Sequence, residues 1–280
     1  MRVDQLLVAR GLASTRSQAQ RLIADGVQWR KGNEWKNVAK NGDEVPDDAP
    51  IQLLDDSEAR YVSRGGLKLE AALQQVGLSV AGLTCLDVGQ STGGFTDCLL
   101  QQGAAFVVGV DVGSAQLHPR LRADARVQCV EKVNARALVA ADLIAAYEDS
   151  TGAEGQFSIE DGETEGPEFV PEFDLIVADL SFISQTLVLP AIVPLLKQGG
   201  TLLTLVKPQF ELQPGQVGKG GIVRDVAFYP LIEQRLRAAC VALDLTVNAW
   251  FDSPIAGGDG NREFFMCARK RPGTKLRQFP

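Results

Sequence analysis

The sequence predicts an α/β fold: a Rossmann-like, doubly wound sheet preceded by a small N-terminal α+β domain. Strand-like and helix-like segments alternate from residue 83 onward, the pattern of a largely parallel sheet covered by helices on both faces. A glycine-rich turn from Gly89 to Gly94 joins the first of these strands to a helix. Residues 1–58 carry shorter elements and a different charge balance. At 280 residues the chain has room for one large domain and one small one.

The elements follow in order. Val3, Leu6, Leu7 and Leu12 give a short first helix its apolar face. Ser14 or Ser17 can cap a second helix carrying Ala19, Leu22 and Ile23, and Gly26 stops it. Val27, Trp29, Val38, Val45, Ile51 and Leu53 read as short strands between Gly and Asn turns. Residues 1–58 form this small domain, and the polar stretch 59–64 reads as a linker. A helix over 64–77 puts Leu69, Ala72, Leu73 and Val76 on one face. Strands are expected at 83–88, 106–111, 127–130, 174–179, 202–207, 245–251 and 263–269, with helices between most of them. Together these make a second domain over 65–280. Residues 148–172, rich in glycine and acids, read as a flexible surface insertion.

Composition narrows the function. Apolar residues make up 45% and charged residues 22%, so the chain can bury a core and is not disordered throughout. No apolar run reaches the ~18 residues of a membrane span, and Met1-Arg2-Val3-Asp4 is not followed by a signal-peptide stretch. A cytoplasmic protein without membrane attachment is expected. Five scattered cysteines without a Cys-x-x-Cys pair argue against a disulfide framework or zinc ribbon. His118 is the single histidine, so no metal site built on histidines is expected. The net charge of −7 hides a strong division. Residues 1–40 carry 8 basic and 3 acidic groups, whereas 148–174 carry 10 acids and no base. Local basic surface governs attraction to phosphate. Arg10, Arg16, Arg21, Arg30 and Lys31 are therefore candidate nucleic-acid contacts, against the plainer reading of a solvated face.

The chemistry centres on Leu86-Asp87-Val88-Gly89-Gln90-Ser91-Thr92-Gly93-Gly94-Phe95. Glycines in a strand-to-helix turn let backbone approach a ligand, and the helix start offers free N–H donors. Asp111 ends the next strand, where an acid reaches a ribose hydroxyl pair. Three readings compete. A dinucleotide site needs Gly-x-Gly-x-x-Gly, and Ser91 replaces the middle glycine. Gly89-Gln90-Ser91-Thr92-Gly93 also fits a hydrolase nucleophile elbow, but His118 is poorly spaced to complete a triad. The third reading is S-adenosylmethionine binding, which the leading acid Asp87 favours. Asp179 and Lys207 end two further strands, where ligands of open α/β sheets bind.

Longer motifs add a resemblance. Leu6…Arg10-Gly11-Leu12-Ala13-Ser14…Ser17-x-Ala19…Leu22-Ile23-x-x-Gly26 resembles the small RNA-binding domain named after ribosomal protein S-four. Val62-Ser63-Arg64-Gly65-Gly66-x-Lys68-Leu69, the Asp87–Thr96 turn, Val133-Asn134-Ala135-Arg136, Asp179-Leu180-Ser181-Phe182-Ile183-Ser184, Lys207-Pro208-Gln209-Phe210-Glu211 and Gly260-Asn261-x-Glu263-Phe264-Phe265 follow in order. Nearly the whole chain is similar to the TlyA family of ribosomal RNA ribose methyltransferases. The resemblance implies an S-four-like domain joined to an FtsJ-type methyltransferase domain. It implies S-adenosylmethionine as cofactor, ribosomal RNA or ribosomal subunits as partner, and a cytidine 2′-hydroxyl as acceptor. It places a catalytic tetrad on Lys68, Asp179, Lys207 and Glu263. It places cofactor contacts on Asp87, Gly89, Ser91, Gly93, Gly94, Phe95, Asp111, Asn134 and Asp179, and calls for no metal. A non-catalytic ribosome-associated factor and a hemolysin, a label some family members carry, are the alternative readings. The acidic insertion departs from the family pattern.

Overall fold

The computed structural model describes residues 1–13, 15–54, 60–151, 169–255 and 260–272. In the N-terminal domain, α1 (Val3–Ala9) and α2 (Arg16–Gly26) pack on a three-stranded antiparallel sheet of β1 (Val27–Lys31), β2 (Glu34–Asn37) and β3 (Ile51–Leu53), ordered β2-β1-β3. Val3, Leu7, Ala19, Leu22 and Val27 are buried between them. The cap of α2 is neither Ser14 nor Ser17. Thr15, in extended backbone, accepts the Gln18 N–H on its hydroxyl at 3.2 Å, and Ser17 lies within the helix; Ser14 lies outside the described residues. Val38 and Val45 are buried as expected but belong to no strand.

Helix α3 (Arg64–Val76) opens the second domain. It is followed by β4 (Thr84–Val88), α4 (Gly94–Gln101), β5 (Phe106–Asp111), α5 (Pro119–Arg122), β6 (Val127–Glu131), α6 (Ala140–Thr151), β7 (Phe173–Asp179), α7 (Gln185–Ile192), β8 (Leu196–Val206), α8 (Pro208–Glu211), α9 (Phe228–Ala242), β9 (Leu245–Asp252) and β10 (Phe264–Lys270). The strand order is β6-β5-β4-β7-β8-β10-β9. The first five strands are parallel, and β10 inserts antiparallel between β8 and β9. All seven expected strands form.

Period-two alternation builds a core on each face of this sheet. Leu175 and Val177 of β7 face the α3–α4 side with Leu69 and Leu99. Ile176 and Ala178 face the α6, α7 and α9 side with Leu143, Val188 and Leu236. The strand reversal between β4 and β7 opens a crevice at the carboxyl ends of the strands. Asp111, Asp179 and Lys207 lie along that edge, each at or just past the end of its strand.

One expected boundary moves. The linker is not free, because Tyr61 and Val62 are buried, Val62 N–H donates to Asp97 at 2.9 Å, and α3 already starts at Arg64. The described ends of the acidic stretch 148–172 are packed. Helix α6 runs on to Thr151, and the Phe169 ring stacks on Tyr147 at 4.6 Å because an aromatic pair gains more packed than solvated. Residues 152–168 of that stretch lie outside the described residues.

Candidate active site

The turn after β4 is shaped by what its glycines cannot carry. Gly89 has φ +87°, and a Cβ there would stand 2.5 Å from the carbonyl oxygen of Asp179. Gly93 has φ +94°, and its Cβ would meet the Leu121 and Leu117 side chains of the α5 region at 2.4 and 2.7 Å. A side chain at either position would force β7 or α5 away from the turn. Beneath the turn Asp87 is fully buried. Its Oδ2 accepts the Thr96 hydroxyl at 2.7 Å, Thr96 accepts from Gln90 Nε2 at 3.0 Å, and Oδ1 has no partner. Burial pushes the Asp87 carboxyl up to about 7, with the Thr96 hydrogen bond opposing and the Asp179 charge adding to the rise.

A cleft of about 430 Å³ opens above the turn, within the range of small-molecule sites. Gly89, Ser91, Asp111, Asn134 and Asp179 line it. Asp111 is held rigidly, with Oδ2 accepting Ser91 N–H and Oδ1 accepting Gly113 N–H, both at 2.7 Å. Each carboxylate oxygen keeps a second lone pair. Asn134 accepts Arg136 N–H at 3.0 Å and so fixes its own turn. Gly93, Gly94 and Phe95 do not line the cleft. Gly94 packs against Ser63, and the Phe95 ring stacks on Phe265 in the core at 6.4 Å. Asp87 is one layer below. The cleft walls that the sequence motifs missed are Val112, Gln116 and Val188. Val112 directly follows Asp111, and that adjacency is the signal that could have found it; nothing local marks the other two.

Lys68, Asp179, Lys207 and Glu263 form two ion pairs along the same edge. Lys207 Nζ lies 2.5 Å from Asp179 Oδ1 and donates to Ser181 Oγ at 3.0 Å. Lys68 of α3 donates to Glu263 Oε2 at 2.5 Å, with both residues buried. Register explains the meeting. Phe264 pairs with Val206 in antiparallel strands, so Glu263 falls opposite Lys207, while Asp179 pairs with Leu205 on the other side of β8. Phe182 follows with φ +64°, is 89% exposed, and lies 4.9 Å from the Phe210 ring. An exposed aromatic beside a polar cluster offers a stacking surface to a planar group.

Glu211, quoted within a motif but given no role, ties this edge together. Its buried carboxylate accepts Ser184 Oγ at 2.6 Å, Gln185 N–H at 2.7 Å and Arg235 at 3.2 Å. It thereby anchors the start of α7 to the segment just after Lys207.

The five cations proposed for nucleic acid are placed unequally. Arg10 donates to the Ala49 carbonyl at 2.6 Å and to the Asp47 carbonyl. Arg16 pairs with Asp4 at 2.8 Å, and together with Arg2 it holds the Asp4 carboxyl down at about 2. Both serve the small domain's own structure as well as its surface. Arg21 sits on α2. Arg30 and Lys31 are exposed on β1 and form no ion pair among the described residues.

Comparison with known proteins gives consistent likenesses. The family model described as FtsJ-like methyltransferase matches residues 61–270, and the S4 domain model matches residues 1–26. The chain is 40% identical over 281 residues to the 16S/23S rRNA (cytidine-2'-O)-methyltransferase TlyA of Mycobacterium tuberculosis, covering 98% of this chain and 92% of that protein. It is 35% identical over 264 residues to Hemolysin A of Brachyspira hyodysenteriae, covering 94% and 98%. A solved structure of a Streptococcus thermophilus protein, also named as a hemolysin, matches with a TM-score of 0.67 at 38% identity, over 97% of this chain and 88% of that one. Among the described residues no helix is long and apolar enough to cross a membrane.

Proposed function

Because the chain belongs to the FtsJ-like methyltransferase family, in its TlyA branch, we propose that it transfers a methyl group from S-adenosylmethionine to a ribose 2′-hydroxyl of ribosomal RNA, at a cytidine. The observation that carries this reading is the convergence of Lys68, Asp179, Lys207 and Glu263 at the edge of a cleft whose floor bears Asp111.

The cleft fits the cofactor by the chemistry of its donors. Asp111 offers a paired acceptor suited to a ribose diol, and apolar Val112, Val133 and Ile183 suit a purine ring. Gly89 and Ser91 bring backbone to the cleft wall, and Asn134 and Asp179 add polar contacts. Gly93, Gly94, Phe95 and Asp87 support the turn from behind. When bound, the sulfonium supplies an electrophilic methyl carbon.

The residues at the edge then have a positioning task. A ribose hydroxyl is a weak nucleophile, so the enzyme gains most by holding its oxygen in line with the methyl group and excluding water. Lys207, steadied by Asp179 and Ser181, contacts that hydroxyl. Lys68 and Glu263 neutralise each other in the buried floor; removing one partner of such a pair costs about 3–5 kcal/mol. Phe182 offers its exposed ring to the base of the target nucleotide. The domain over residues 1–58 supplies RNA affinity through its cations, joined through 59–64 to the methyltransferase domain over 65–280.

The test is incubation of the protein with methyl-labelled S-adenosylmethionine and unmodified ribosomal subunits or naked ribosomal RNA. A 2′-O-methylated nucleotide resists alkaline cleavage at its own 3′ phosphodiester, which maps the position. Label in RNA with that signature, lost in Lys207→Ala while S-adenosylhomocysteine affinity stays within a few fold, is the expected result. No label, or label equally present in Lys207→Ala, overturns it.

A further inference from the structure

We propose that the outer face of the N-terminal sheet is a second RNA contact, one that binds unpaired nucleotides by stacking. It rests on the RNA-directed reading above. Register fixes which side chains share this face. Trp29 pairs with Ile51 and with Lys36, and Val27 with Leu53; Val27, Trp29, Ile51 and Leu53 pack inward on the small domain's core. The alternate residues therefore point the other way. These are Gln28 and Arg30 on β1, Trp35 and Asn37 on β2, and Gln52 on β3, with Arg30 directly opposite Trp35 and Gln28 opposite both Asn37 and Gln52.

The chemistry of that set points to one class of ligand. It holds an indole 42% exposed, a guanidinium with no described partner, and three carboxamides. Gln28 Nε2 donates to Asn37 Oδ1 at 2.8 Å, which aligns the amide edges. No carboxylate of the three strands shares the face, since Glu34 pairs with Lys31 in the alternate set. A strand face that carries a guanidinium, an aromatic platform and no carboxylate among its described strand residues complements a phosphate chain with exposed bases. Carboxamides can read base edges once the bases are unstacked. β2 is an edge strand with all four residues exposed, which leaves the Trp35 ring 42% accessible. Arg30 and Lys31 are then distinct contacts. Arg30 belongs to the stacking face, and Lys31 to the opposite one.

The experiment uses the full chain and labelled RNA, with affinity read by anisotropy across a series of salt concentrations. The probes are a single-stranded oligoribonucleotide of mixed sequence and a perfect RNA duplex of the same length. Trp35→Ala should weaken single-strand binding about tenfold, leave duplex binding nearly unchanged and leave the salt slope unchanged. Trp35→Phe should recover most of the loss. Arg30→Ala should flatten the single-strand salt slope by roughly 0.7. Unchanged single-strand affinity in Trp35→Ala overturns the proposal. So does an equal loss on both probes, or a Trp35 effect seen only in self-association of the protein, which would make the face an interface between copies. Failure of the unsubstituted protein to bind or methylate any RNA would instead count against the RNA-directed function itself.

Discussion

The buried carboxyl of Asp87 should make stability fall as pH rises, and Asp87→Asn should abolish that dependence. In the unfolded chain the group titrates near its ordinary 3.8; in the folded protein burial raises it to about 7. Between these values the native state holds a proton that the unfolded state has released. The native state is therefore favoured at low pH, and the advantage is lost as pH climbs through the folded value. The full span is about 4 kcal/mol at roughly 1.4 kcal/mol per unit. Between pH 5 and pH 8 about 2.5 kcal/mol of it is expressed. Asparagine keeps an oxygen to accept the Thr96 hydroxyl but carries no charge at any pH. Urea unfolding of both proteins at pH 5, 6, 7 and 8, taken as the difference between them, removes the contribution of every other titrating group. The difference should move in favour of the asparagine variant by about 2.5 kcal/mol from pH 5 to pH 8. Parallel curves would refute the reasoning, because they would mean that Asp87 is ionised or solvated alike in both states.

Gly89→Ala sets a Cβ against the Asp179 carbonyl and a side chain at φ +87°; it should lower stability by about 2 kcal/mol and weaken S-adenosylhomocysteine binding, checked by thermal unfolding and calorimetry. Asp111→Ala removes the acceptor of Ser91 and Gly113 N–H, and titration calorimetry should find S-adenosylhomocysteine affinity reduced by about 1–3 kcal/mol with a normal melting profile. Glu211→Ala strands Gln185 N–H and leaves the Arg235 guanidinium only the backbone carbonyl of residue 211; urea unfolding should register a loss of about 3 kcal/mol, larger than the loss of about 1 kcal/mol from Ser184→Ala, which removes the N-cap of α7 and one hydroxyl donor.

The centre of the sheet was readable before the structure because its strands are apolar runs bounded by turn residues, and β7 shows why. Phe-Asp-Leu-Ile-Val-Ala-Asp is buried on both faces and ends in an acid. Lys68 and Glu263 were found through ordered motifs, not through spacing, since 195 residues separate them and nothing local ties one to the other. Gly93, Gly94 and Phe95 illustrate the opposite limit. Their motif marks a ligand-binding turn, yet which atoms face the ligand depends on α5 and α3 arriving from elsewhere in the chain. Thr15 displaced two serines as a cap because capping depends on one residue's backbone angles, and all three candidates carry a suitable hydroxyl. Charge composition marks the acidic stretch but does not reveal that Tyr147 and Phe169 stack at its two ends.

The antiparallel insertion of β10 has a bearing on how the protein comes into being. Glu263 reaches Lys68 from the position just before β10, and β10 supplies the hydrogen-bonding partner of β8 and of β9. During synthesis the N-terminal domain has every residue of its three-stranded sheet long before that strand exists. The chain thus acquires the surface proposed here for RNA early, while Lys68 waits without its counter-charge and the edge of β8 stays unpaired. Contacts of such high sequence separation form late and slowly. A growing or prematurely ended chain would hold a surface for nucleic acid with no completed centre beside it. The unpaired β8 edge would be its most exposed site for wrong association.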